Sequence, residues 1–280
     1  MALCKSVGLE ELVDADSGRE VVVAPAVVNR FADLTKKYEP FLVIPLETYN
    51  WENWLRNHVQ EILLPHDINL FLQQTRDYEN NADYNHNTGQ FISQLLQNSY
   101  HAGNSDFELD MNLLKPINYF ASRLSGTEER MVRVVIKGEV GDRCGRNAQY
   151  SAFTIGEAGK YCGFLAENST FTVQEAGYRC GSNAQYSTFT IEKAGDDCGL
   201  GAQHSAFTID KAGDGCGMYA QHSTLTIEKA ENWCGRKAQH STFKTHNVLQ
   251  YKQLKCTVPR FKNNKVYHLQ PDGTLKKRWF

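Results

Sequence analysis

The sequence predicts an α+β N-terminal domain followed by an all-β, single-stranded β-solenoid (β-helix) of six 18-residue coils. Cys-Gly recurs at positions 144, 162, 180, 198, 216 and 234, always 18 residues apart and without an insertion. Each repeat ends in a segment in which polar and apolar residues alternate, as in Ser169-Thr170-Phe171-Thr172-Val173. This alternation is the pattern of a β-strand, and 18 residues are too few for the helix pairs of helical tandem repeats.

Residues 18 positions apart are expected to lie one above another in such a solenoid, at the spacing of about 4.8 Å between neighbouring strands. Each repeated residue then forms a column along the axis. One apolar column is predicted to be the structural ladder of the interior, and it consists of Phe153, Phe171, Phe189, Phe207, Leu225 and Phe243. Alanines from Ala148 to Ala238 are expected to line another wall, and glycines are expected at the corners, where the chain changes direction.

The chain divides into three predicted regions. Residues 1–128 are expected to form a mixed, mostly helical domain, residues 129–245 the solenoid, and residues 246–280 a basic C-terminal cap with a β-hairpin. The exposed sheet edges at the two ends of a solenoid need covers. Residues 130–141 are interpreted as a degenerate coil at one end, and strands at 266–269 and 274–279 as the hairpin that closes the other.

The N-terminal region lacks a repeat, so its elements are predicted from local patterns alone. These patterns predict short strands at 21–28 and 41–45, helices at 51–64, 68–78 and 88–100, a polar loop at 79–87 and a turn at 104–106.

The recurring Ala-Gly-x-x-Cys-Gly motif and its outgoing strand resemble the Gly-x-Gly-x-Gly β-helix domain. That domain forms the C-terminal part of the glutamate synthase large subunit and recurs in one of the subunits of formylmethanofuran dehydrogenase. The matching residues are Gly138, Gly141, Gly145, Gly195, Gly199, Gly213, Gly215 and Gly217. The resemblance covers about residues 130 to 245 and implies a structural element remote from catalysis. The cysteine column departs from the family pattern, which has an aliphatic or small residue there.

Composition excludes few functions. The chain has 280 residues, 41% of them hydrophobic, and a net charge of −2, so no strong overall field points to nucleic acid, membranes or acidic substrates.

Positive charge concentrates in residues 246–280, where lysines and arginines stand among aromatic residues as in a nucleic-acid surface. The alternative is that this charge keeps solenoid ends from associating. No apolar run is long enough to span a bilayer, and no export signal is recognised, so a cytoplasmic location with reduced cysteines is expected.

Two columns are candidate metal or ligand sites. Cys144, Cys162, Cys180, Cys198, Cys216 and Cys234 are either a thiolate ladder for a soft metal or, the favoured interpretation, buried small apolar side chains. His204, His222 and His240 occupy the position of Tyr150, Asn168 and Tyr186 in earlier coils, which favours an exposed face over a metal site. Outward threonines suggest a third alternative, an ice-binding face, although threonine is also common in exposed strands.

The sequence offers no recognised catalytic order, metalloprotease spacing or phosphate loop. The favoured function is therefore a non-catalytic structural or protein-interaction module without a cofactor. The main alternative is a metal- or ligand-binding protein that uses the cysteine or histidine columns. An RNA-associated role of the basic tail and ice binding rank below these two.

Overall fold

A computed structural model of the chain describes residues 30–44, 51–258 and 262–276. A small helical N-terminal region precedes a parallel β-solenoid of about six turns of roughly 18 residues. The predicted fold class is thus confirmed. Ten strands form one sheet in chain order, from β1 to β10, and every neighbouring pair is parallel except the final hairpin.

The helices within the described ranges are α1 (Ala32–Leu42), α2 (Trp51–His58), α3 (Pro65–Gln74), α4 (Tyr84–His101) and α5 (Val248–Thr257), with a 3-10 turn at Thr75–Tyr78. The strands are β1 (Asp106–Asp110), β2 (Val132–Val140), β3 (Ser151–Ala158), β4 (Thr170–Ala176), β5 (Thr188–Ala194), β6 (Ala206–Ala212), β7 (Thr224–Ala230), β8 (Thr242–Thr245), β9 (Lys265–Leu269) and β10 (Leu275–Lys276).

The predicted strand at 41–45 is wrong where the structure describes it, because Phe41 and Leu42 end helix α1. Leu34 and Tyr38 precede them at helical spacing, and all four side chains are buried. A short apolar run alone does not distinguish a strand from one face of a helix. The strand predicted at 21–28 lies outside the described residues.

The other helices of the N-terminal region are confirmed with different ends. Helix α2 stops at His58, six residues before the predicted end, and α3 begins at Pro65, a residue suited to the first helical turn. Helix α4 begins at Tyr84, inside the predicted loop, because the Tyr84 ring is buried and its hydroxyl lies 3.0 Å from Thr75 Oγ1.

The solenoid has the predicted interior. Phe153, Phe171 and Phe189 pair with one another in register across β3, β4 and β5, and the column continues to Phe243. Every member of the structural ladder is at most 2% exposed. Successive phenyl rings stack 4.7–4.9 Å apart and within 9° of parallel from Phe153 to Phe207. A column in the sequence is therefore a column in space.

The sheet begins earlier than the predicted degenerate coil. Strand β1 pairs in parallel with β2, with Phe107 opposite Val134, and the chain after β1 continues the coil. Gly145 N donates to Phe120 O at 3.0 Å, so Phe120 stands where later coils carry a cysteine. The 130–141 segment is confirmed as strand, with Val132, Val134 and Ile136 buried, and its extra residue is absorbed by a register shift between Ile136 and Glu139.

The corners of each coil contain left-handed residues that are not glycine. In the first full coil Arg143, Asn147 and Tyr150 have φ of 63°, 56° and 46°, and later coils repeat these positions. Each of the three amides donates forward to the next coil, as Arg143 N does to Lys160 O at 2.7 Å. Amides at positions between these residues donate to the preceding coil, as Gly163 N in the second coil does to Cys144 O at 2.8 Å. These hydrogen bonds offset a conformation that costs on the order of 1–3 kcal/mol per residue.

A column of buried serines lines the interior beside the phenylalanines, and it consists of Ser151, Ser169, Ser187, Ser205, Ser223 and Ser241. Ser187 Oγ accepts a hydrogen bond from Ser169 N at 3.1 Å and donates to Gln185 O at 2.9 Å. From Ser169 to Ser241 each hydroxyl thus satisfies the backbone amide of the serine in the preceding coil, which would otherwise be buried without a partner.

Ser187→Ala is therefore expected to lower the free energy of unfolding by about 1–3 kcal/mol, because the amide of Ser169 loses its acceptor in a dry interior. Urea denaturation followed by circular dichroism measures the change. Thr188→Ala, on the exposed side of the same coil, is the matched control and should change stability by less than about 0.5 kcal/mol. Equal effects of the two substitutions would contradict the role of the serine column.

The C-terminal cap contains the predicted hairpin, since β10 pairs antiparallel with β9, and β9 pairs in parallel with β8. Residues 277–279 of the predicted second strand lie outside the described residues. Helix α5 was not predicted. Asn247 caps it by accepting from Leu249 N at 2.9 Å and Gln250 N at 3.2 Å, and Tyr251 and Leu254 are buried. In the ranges that are described, none of the helices is both long and apolar enough to cross a membrane.

Candidate functional site

The six cysteines that recur every 18 residues are in the interior. All are 0% exposed and free, and the carbonyls of the first five accept hydrogen bonds of 2.8 Å from the glycine amides of the next coil. Hydrogen bonds to neighbouring thiols, together with burial, raise the pKa of Cys144, Cys180, Cys198 and Cys234 well above the usual value. Cys162 and Cys216 accept hydrogen bonds from the thiols on both sides, which lowers their pKa, but an apolar interior opposes a thiolate at any of the six positions.

We expect the native protein to shield these six thiols from a thiol reagent such as dithionitrobenzoate. In a Cys4→Ser variant, which removes a cysteine outside the described residues, one thiol should react in buffer and seven in denaturant. The reactive thiol is that of Cys256, whose side chain is exposed. Rapid reaction of more than one thiol in the folded protein would contradict the buried column.

The histidine column lies on the outside. The rings of Tyr186, His204, His222 and His240 are exposed and stack face to face, with centroids 5.0, 4.9 and 4.8 Å apart and planes within 10° of parallel. All four residues have φ of 50–51°, so the same backbone conformation directs each ring outward. We call this set the ring column.

Parallel rings place their nitrogens side by side, so the lone pairs do not converge on one point as metal ligands must. Across the described part of the chain, no group of three or more His, Cys, Asp or Glu side chains is arranged to hold a metal ion. The ring column instead offers a line of flat, polar-edged surfaces held in fixed register.

A glutamine column runs beside the ring column. Gln185, Gln203, Gln221 and Gln239 precede the four ring residues and join one another through parallel β-bridges. These glutamines were not predicted as site residues, although a glutamine follows five of the six core alanines in the sequence. Together the two columns form a flat polar surface along the last four full coils.

The threonine face is a separate outward surface. Thr154, Thr172, Thr190, Thr208 and Thr226 pair in register from β3 to β7, and Lys244 ends the column. The outward column two residues earlier in each strand has alanine in place of threonine at Ala152 and Ala206.

The basic tail contributes helix α5 and the hairpin. Lys252, Lys262, Lys265 and Lys276 are exposed, and Lys255 Nζ lies 5.5 Å from the Tyr251 ring centre. Residues 259–261 and 277–280 lie outside the described residues, so the predicted nucleic-acid surface is described only in part.

The comparisons with known proteins found no match: neither a protein-family model nor a curated protein nor a solved structure matches this chain.

Proposed function

We propose that this chain is a non-catalytic protein-interaction module whose rigid solenoid presents repeated columns of side chains to a protein partner. The ring column carries this proposal, because four exposed rings stand in one line at 4.8–5.0 Å. Tyrosine, the first residue of the column, is enriched among the residues that dominate binding energy at protein interfaces. Rings already fixed by stacking lose little conformational freedom when a partner binds.

A photo-crosslinking amino acid placed at single positions tests the proposal in cells that produce the protein. At His222, in the ring column, it should capture a discrete partner, and His222→Ala should abolish capture from position 204. The matched control is Thr190, an exposed residue on the threonine face. Capture of the same species from both positions, or of none from the ring column, would refute the proposed surface.

Ligand or metal binding through the histidine column is the second candidate function. Three exposed imidazoles with centroids 4.8–4.9 Å apart support it, because imidazole is the commonest metal ligand in proteins and each of these rings is open to solvent. Elemental analysis of the purified protein separates the two functions. Stoichiometric metal that is lost in His222→Ala would favour this second function.

The resemblance to the Gly-x-Gly-x-Gly β-helix domain extends the proposal to a structural role. The glycine that follows each cysteine supports it, because Gly145 and Gly199 take left-handed conformations at corresponding corners. A cytoplasmic location and the lack of a cofactor are parts of the same proposal. RNA binding by the basic tail that weakens with added salt would support the RNA-associated role instead.

A further inference from the structure

A cavity of about 550 Å³ lies between helix α2, helix α4 and residues 122–125, which belong to the chain between β1 and β2. Its volume is within the range of small-molecule sites. It is remote in sequence from the ring column, so an inference about it does not depend on the proposed partner surface.

The walls of the cavity combine apolar and hydrogen-bonding groups. Leu55, Val59 and Ile62 supply apolar contacts, while helix α4 contributes side-chain amides on one face at Gln90, Gln94 and Gln97. Gln97 docks this helix against the solenoid, since its Oε1 accepts from Ser125 N at 2.8 Å and its Nε2 donates to Ser125 O at 3.1 Å. The surroundings suit an organic molecule with several hydrogen-bonding atoms.

Positive charge gathers at the same place. Arg56 and Arg123 line the cavity, and Glu52 is the one carboxylate among the described lining residues. The Arg123 guanidinium pairs with Glu52 and stacks over Trp51, with Cζ 4.8 Å from the ring centre. The planar guanidinium can donate two parallel N–H bonds to a phosphate, and stacking on the Trp51 ring fixes its orientation.

Two further arginines lie outside the lining of the cavity: Arg146, whose carbonyl accepts a hydrogen bond of 2.7 Å from Arg123 N, and Arg143, whose charge acts on Arg146. Burial lowers the pKa of Arg146, and the positive charges of Arg123 and Arg143 lower it further. Arg143 stacks between Tyr119 and Tyr161, with Cζ 5.0 and 5.8 Å from their ring centres, which holds its charge in place. Glu52 therefore faces the two guanidinium groups of the lining, with the charge of Arg146 beside Arg123, and an anion in the cavity would lower the repulsion among these positive charges.

We propose that this cavity binds a small organic phosphate. The phosphate takes the place of Glu52 on the Arg123 guanidinium, and the amides of helix α4 bind the rest of the molecule. This site is separate from the partner surface on the solenoid and needs no residue of the ring column.

Isothermal titration calorimetry of the full chain with AMP, inorganic phosphate and adenosine tests the site. We expect saturable binding of AMP or inorganic phosphate at one site, with adenosine much weaker than AMP. Arg123→Gln should weaken binding about tenfold or more, because a hydrogen-bonded charge is lost. Glu52→Gln should tighten it, because the phosphate no longer competes with a carboxylate.

Arg133→Gln is the matched control. Arg133 pairs with Asp106 at 3.3 Å on the exposed side of β2 and does not line the cavity, so its loss should leave binding unchanged. Circular dichroism confirms that each variant folds, and Glu52→Gln still tests the site if Arg123→Gln does not fold. The proposal is overturned if neither AMP nor phosphate binds, if adenosine binds as well as AMP, or if Glu52→Gln weakens binding.

Discussion

Phe189→Ala is expected to lower the free energy of unfolding by about 3–5 kcal/mol, the usual loss for removing a buried phenyl ring. Phe189 is 0% exposed and stacks on Phe171 at 4.9 Å and on Phe207 at 4.8 Å. Its removal opens a cavity in the middle of the column, and neighbouring coils cannot close it without breaking the register of their backbone hydrogen bonds. Urea denaturation followed by circular dichroism measures the loss.

Thr190→Ala provides the control, because Thr190 is the next residue of β5 and is exposed. Its substitution should change stability by less than about 0.5 kcal/mol. A loss below about 1 kcal/mol for Phe189→Ala would show that the phenylalanine column does not hold the coils together.

Gly181→Ala is expected to cost about 2–5 kcal/mol, from a left-handed conformation and from overpacking. Gly181 has φ of +64°, and a Cβ there would lie 2.7 Å from Phe207 Cε1 and 3.0 Å from Phe189 Cζ. Arg179 and Asn183 in the same coil are also left-handed, with φ of 59° and 53°, yet carry side chains. What position 181 requires is therefore room for the phenyl rings more than freedom of φ.

Gly273→Ala separates the two contributions. Gly273 has φ of +79°, close to that of Gly181, and no atom lies within 4 Å of a built Cβ, so its substitution carries mainly the conformational cost. We expect the urea midpoint to fall further for Gly181→Ala than for Gly273→Ala. Equal shifts would show that contact with the phenyl rings adds nothing.

The solenoid could be predicted because the same coil conformation recurs six times. The residues of each column therefore recur in the sequence at a constant spacing. Strand β1 could not be predicted from the repeat, because Phe107 and its partner Val134 are 27 positions apart and not 18. Residues 111–131, which lie between the two strands, account for the longer spacing. The left-handed corners could not be predicted either, since Arg143 or Tyr161 has no special preference for positive φ and is held there by hydrogen bonds between coils.

The serine column could have been predicted, because Ser169 shares the inward face with Phe171 and Val173 by simple alternation. A hydroxyl is buried at this position because it forms hydrogen bonds with the backbone, which the alternation alone does not show. The outward position of His204 and its neighbours followed from the repeat, whereas the parallel stacking of their rings depends on the corner conformation. The cavity could not be predicted from the sequence, because Trp51, Gln97 and Arg123 come together only in the tertiary fold.

Distances between spin labels test most directly whether residues 18 positions apart lie one above another. In a Cys4→Ser, Cys256→Ser background, labels at Thr154→Cys paired with Thr190→Cys, Thr208→Cys or Thr226→Cys are two, three and four coils apart on one exposed column. Electron paramagnetic resonance should show separations that grow by about 4.8 Å per coil. Separations that do not increase in even steps from the first pair to the third would contradict the stacked-coil structure.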